Sequence, residues 1–175
     1  MNAALAKDQA KLTMALAEWL IQSANSSGMY RTANSSRSFT KNGPIPNEPF
    51  RITQVTFNNA TADDFKLVDG LATIESCFVS GGGSDGIVVR ALATSASVRG
   101  LHVINQVSIS EDYAPDLAKL KSLDNFFYRG SSPLGPKVLK ALASLPELRT
   151  ITIMVSPDVD VRDLESFRSS KISNA

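Results

Sequence analysis

His102 and Cys77 are the two side chains best suited to acid–base or nucleophilic chemistry, and each is the only residue of its type in the chain. One cysteine allows neither an internal disulfide nor a cysteine-based zinc site. One histidine excludes a His-pair metal motif, and no nucleophile or carboxylate stands at motif spacing from it to suggest a Ser-His-Asp arrangement. The stretch "GGGSDG" (Gly81 to Gly86) has glycines that would let backbone N–H groups approach a phosphate. It lacks the Lys-Ser or Lys-Thr that follows in a phosphate loop and the acidic ribose partner of a dinucleotide site, so a turn with positive φ is expected instead. Asp158, Asp160 and Asp163 offer oxygen ligands without EF-hand spacing or a closing Glu, as expected for the solvated start of a capping helix. No catalytic residue, cofactor or metal site is expected.

An aromatic set remains. Phe78, His102 and Phe127 are separated by 24 and 25 residues. Rings at such a spacing matter only if the fold brings them together, and a second pattern at the same interval suggests that it does. The segment "LPELRTITIM" has apolar residues at Leu145, Leu148, Ile151 and Ile153, so its step shortens from three to two. The same step appears at Leu120, Leu123, Phe126 and Tyr128, and at Leu71, Ile74, Cys77 and Val79. It recurs at Val98, Leu101 and Val103, with Ser95 weak in the first slot, and in shorter form at Ile52, Val55 and Phe57. The third slot falls at Val55, Cys77, Leu101, Phe126 and Ile151, giving spacings of 22, 24, 25 and 25 residues. The closing apolar-x-apolar predicts a short strand with both marked residues pointing into the core, and the three-steps predict a helix end and turn leading into it.

Each unit is therefore expected to run helix, turn, strand, and the stacked units to form a parallel sheet with helices on its outer side. "GPKVLKALASL" places Val138, Leu142 and Leu145 on one helical stripe with Pro136 in the first turn, and "APDLAKLKSL" does the same with Leu117, Leu120 and Leu123. Ser84 and Asp85 predict a helix start before Ile87, Val88 and Ala91, and Asp63 and Asp64 one before Phe65 and Val68. After the last strand, a closing helix is expected over Val161, Leu164 and Phe167. Near the N-terminus, Leu12, Leu16, Trp19 and Leu20 make one face of an amphipathic helix, with Glu18 interrupting any signal-peptide or membrane-spanning run. Ser23 to Pro46 is rich in Ser, Asn and Gly and predicts a loop or irregular hairpin, with short strands at 29–32 and 38–40.

On these residues the chain resembles the leucine-rich repeat proteins, over roughly Phe50 to Val155. It looks most like a bacterial variety in which a small residue follows each strand and Ser-Asp or Thr-Asp opens the helix; Ser84-Asp85 and Asp63-Asp64 are similar to that element. "AEWLIQSA" and "GPIPNEPFRITQVTF" look like its capping lead-in. The inward polar position after the strand, often Asn or Thr in the family, is Ala60, Gly82, Gln106, Ser131 and Ser156 here, which marks a divergent member. The expected organisation is an N-terminal helix and capping segment over residues 1–49, followed by an α/β solenoid of about five repeats over 50–175.

In such a sheet the residues between core positions face the concave surface, where these proteins usually bind. The central column is Thr56, Phe78, His102, Phe127 and Thr152, and its neighbour is Asn58, Ser80, Ile104, Arg129 and Met154. Aromatic rings beside an Arg have the composition of an interaction hot spot. The partner-binding set is thus expected to be Phe78, His102, Ile104, Phe127, Arg129 and Thr152. The 18 Lys and Arg against 17 Asp and Glu leave a net charge of +1, no basic excess to hold nucleic acid or an anionic membrane. A non-catalytic, cytoplasmic protein-interaction module is the expectation, and the resemblance implies a place beside bacterial signalling kinases. A small-ligand protein or a structural unit that self-associates through a repeat edge is the alternative.

Overall fold

The structure, a computed structural model, describes residues 3–23, 26–81, 86–105, 107–130 and 132–154. The expected closing helix, the three C-terminal aspartates and the Ser84–Asp85 helix start lie outside these residues. So do Gly82, Gln106, Ser131 and Ser156 of the polar position after the strand. The described chain is α/β, with a seven-stranded, mostly parallel sheet.

Five strands follow the repeat: β3 (Arg51–Asn58), β4 (Ser76–Ser80), β5 (Gly100–Ile104), β6 (Asn125–Arg129) and β7 (Thr150–Ile153). They pair in parallel in chain order, and the register aligns Val55, Cys77, Leu101, Phe126 and Ile151 in one row. The first four are fully buried, as are Phe57, Val103 and Tyr128 two positions on. Ser95, the weak slot of the pattern, is buried too; its hydroxyl pairs with Ser97 at 3.1 Å, and Ser97 donates to the Ile74 carbonyl at 2.8 Å. A polar residue is tolerated there because its hydrogen bonding is satisfied. Ile151 is only half-buried, since β7 has no strand on its far side among the described residues.

Between the strands lie α2 (Ala62–Phe65), α3 (Ile87–Leu92), α4 (Ala114–Leu117) and α5 (Pro136–Ala143). A short repeat that must reverse direction twice leaves little chain for helix, and α2 and α4 are single turns. Asp64 closes the first turn of α2 by accepting from the Thr61 amide at 2.7 Å and its hydroxyl at 2.8 Å. α3 runs through Ile87, Val88 and Ala91 as expected; it buries Val88, Val89 and Leu92, with Ile87 and Ala91 half-buried at the margin of the core. Leu117, Leu120, Leu123 and Val138, Leu142, Leu145 are all buried, but only Leu117, Val138 and Leu142 lie in helices; Leu120, Leu123 and Leu145 reach the core from the chain that follows α4 and α5. All four helices place residues in the same core as the inward strand positions.

The N-terminal α1 (Ala3–Gln22) buries Leu16, Ala17 and Leu20 against that core, and Trp19 packs on Phe57 at 5.3 Å while donating to Asp64 at 3.0 Å. The hairpin that follows, β1 (Ser27–Arg31) and β2 (Ser36–Ser38), starts earlier than the sequence suggests and joins the sheet: β1 pairs antiparallel with β3. Gly28 is buried under Leu20, where a Cβ would meet the Leu20 side chain at 2.6 Å.

On the helical side Asp116 ties α3 to α4. It accepts from Lys119 at 2.7 Å and Arg90 at 3.1 Å, and these contacts hold its carboxyl below the usual carboxylate range despite burial. Asp116→Asn should lower stability by about 1–2 kcal/mol near neutral pH. A depressed carboxylate stabilises the fold above its unfolded pKa and loses that contribution as the pH falls through the folded value. The gap between wild type and variant in denaturant unfolding should therefore close on acidification below the ordinary Asp range. Leu101→Ala should cost about 2–5 kcal/mol in the same assay. Thr152→Ala, on the opposite side of the sheet, should stay within about 0.5 kcal/mol of wild type.

Candidate functional site

Because successive side chains in a strand point to opposite faces, the register that fills the core also aligns the residues on the open face. Thr56, Phe78, His102, Phe127 and Thr152 are paired in one row across β3 to β7. Asn58, Ser80, Ile104 and Arg129 make the adjacent row. Phe78, His102 and Phe127 are half-buried and stacked: the first two rings lie 4.2 Å apart at 14°, the second and third 5.8 Å apart at 23°. Rings side by side in one plane could not approach to 4.2 Å without overlapping, so Phe78 and His102 must stand face to face. The stack rises from the sheet with its edges to solvent. Ile104 and Thr152 are half-buried beside it, and Arg129 is exposed.

His102 has no hydrogen bond or ion pair among the described residues. Burial between the rings lowers its pKa below the ordinary histidine value. Its surroundings favour the neutral ring, and no carboxylate among the described residues hydrogen-bonds it. Cys77 points the other way, into the core, where burial pushes the thiol up and keeps it protonated at neutral pH. Gly81 and Gly86 both have positive φ, at 65° and 87°, as a repeat turn requires. No group of three or more His, Cys, Asp or Glu side chains able to hold a metal occurs among the described residues.

Beyond the positive φ expected at the Gly81 turn, two features of this face were not anticipated from the sequence. Asn59, Gly81 and Asn105 hold equivalent positions just past β3, β4 and β5, all left-handed, and the amide of each donates to a carbonyl on the next unit at 2.8–3.0 Å. Asn and Gly are the residues that adopt this conformation most readily, so their recurrence at the repeat interval was the available signal. At the other end of the strands, Glu75 faces Arg51 at 3.5 Å and Arg31 at 3.9 Å. Arg31 belongs to the hairpin, and its approach depended on β1 joining the sheet.

The chain matches no protein-family model, and no curated protein and no solved structure is significantly similar to it. No helix among the described residues is long and apolar enough to cross a membrane.

The stack can be checked through the chain's one imidazole. In an NMR titration His102 should have a pKa below about 6.5, the ordinary value. Phe78→Ala, which hydrates one face of the ring, should move it back up. With a lowered histidine pKa the unfolded state binds the proton more readily, so this residue's contribution to stability is present above the ordinary value and lost as the pH falls through the folded one.

Proposed function

We propose that the chain is a divergent leucine-rich repeat stack of bacterial type, acting as a non-catalytic module that binds a protein partner on the open face of its sheet. The common register of the units and the helices confined to the core side support the repeat reading. The observation that carries the functional reading is the stack of Phe78, His102 and Phe127, aromatic area kept half-exposed in the middle of a face that the core does not use. Rings of this kind, already held by their neighbours, lose little conformational freedom when a partner covers them. Arg129 beside them supplies a charged donor, and Phe, Tyr, Trp and Arg are the residues enriched at the centre of protein interfaces.

The neutral, unoriented imidazole and the buried thiol support a binding role over a catalytic one. Affinity should depend on the open face and not on the helices. Phe127→Ala should weaken binding of a protein partner captured from the source cells by about 2 kcal/mol or more, the usual loss at a central anchor. It should cost much less stability than Leu101→Ala. Lys140→Ala, on exposed helical surface of α5, should leave binding unchanged. A binding titration of both variants decides between the two faces: loss with Lys140→Ala and none with Phe127→Ala would move the partner to the helical side.

A further inference from the structure

Which partner chemistry suits this face follows from how the rings stand and where the charge lies. Because the rings stack on one another, only the outer faces of the two end rings remain for a further ring to pack on. Phe78 is followed in its row by Thr56 and Phe127 by Thr152, both short side chains, so the row itself supplies no ring to cover either end. The two ends differ. Beside Phe78 stand the uncharged Asn58 and Ser80. Beside Phe127 stands Arg129, exposed and with no ion pair among the described residues, and past Thr152 comes Met154, 51% exposed. The Phe127 end thus joins a ring face, a flexible thioether and a cation in one place.

The charge is one-sided. The outward positions of the five parallel strands carry no carboxylate; Arg129 is the charged residue beside the rings, and Arg51 stands at the opposite end of β3. The acid at the start of β4, Glu75, already faces Arg31 and Arg51. A complementary partner therefore brings an acid to Arg129. Resting on the reading of the open face as a binding surface, we propose that its occupant is a peptide segment of a partner protein bearing an aromatic side chain next to an acidic residue. The ring extends the stack over Thr152 against Phe127, and the carboxylate accepts from the Arg129 guanidinium. Single-stranded nucleic acid fits less well. It needs several cations along a groove and ring faces turned to the bases, whereas here Arg129 is the one cation beside the rings, Arg31 and Arg51 are paired with Glu75, and the rings stack on one another.

The test is selection of a displayed random peptide library on the full chain, repeated on Arg129→Glu. Wild type should enrich peptides with Trp, Tyr or Phe adjacent to Asp or Glu, and the charge-reversed variant should enrich the same rings beside Lys or Arg. For a synthetic peptide from the wild-type selection, Arg129→Gln should weaken binding about ten-fold, the effect of one charge-assisted contact of roughly 1.4 kcal/mol. Replacing the peptide's acid by its amide should then make no further difference. Unchanged melting temperature and circular dichroism would confirm that the variants fold. Enrichment that ignores Arg129 charge, or tighter binding of oligothymidine than of any selected peptide, would overturn the proposal. If selected peptides lack the aromatic–acidic pair yet lose binding with Phe127→Ala, the open face stands as the binding surface and only the peptide chemistry is wrong. If Phe127→Ala leaves all binding intact, the surface itself is wrong.

Discussion

In a parallel sheet, a slip of one residue sends every side chain of a strand to the opposite face. Here five strands share a single phase, and the row Val55, Cys77, Leu101, Phe126 and Ile151 expresses it. Shifting β5 alone by one position would drive His102 into an apolar core with no partner for its nitrogens and expose Leu101 and Val103. That cost is what keeps the open face in order. The stack of Phe78, His102 and Phe127 arises from the same constraint, because side chains paired across adjacent strands have little room to do anything but stack.

The register is held from both ends of the strands. Before each of the last three, two consecutive amides converge on one carbonyl of the preceding unit: Arg99 and Gly100 on Glu75, Asp124 and Asn125 on Arg99, Arg149 and Thr150 on Asp124, all at 2.8–3.0 Å. After β3, β4 and β5, the left-handed Asn59, Gly81 and Asn105 carry the pairing one residue further before the chain turns away. Gly81 could not be replaced without strain. Its φ is positive, and an added Cβ would collide with the Asn59 side chain. These backbone bonds do not depend on side-chain identity, so the core slots can vary from Cys77 to Phe126 without loss of alignment.

The repeat was legible because burial imposes a period, and strand phase follows directly from apolar-x-apolar pairs such as Leu101 and Val103. The ring row was legible for the same reason, since it is the complement of that phase. Helix extent was not, because Asp63 and Asp64 mark where a helix starts and nothing local says that α2 ends after one turn. The half-burial of Ile151 depends on what lies beyond β7, which its own segment does not encode. Nor could the attachment of the hairpin to β3 be foreseen: Met29 and Tyr30 suggest a strand, but the pairing includes an irregularity between them that no local pattern announces. The orientation of the rings, stacked on one another, came from the structure alone.

Phase, register and stacking meet at one side chain that has no duplicate in the chain. Nuclear Overhauser effects from the His102 imidazole protons in solution therefore test all three together without ambiguity of assignment. Effects to the ring protons of both Phe78 and Phe127 are predicted, since the centroids lie 4.2 and 5.8 Å away. Effects to core side chains such as Leu92 or Leu117, with none to either ring, would contradict the strand phase and with it the open face built on it.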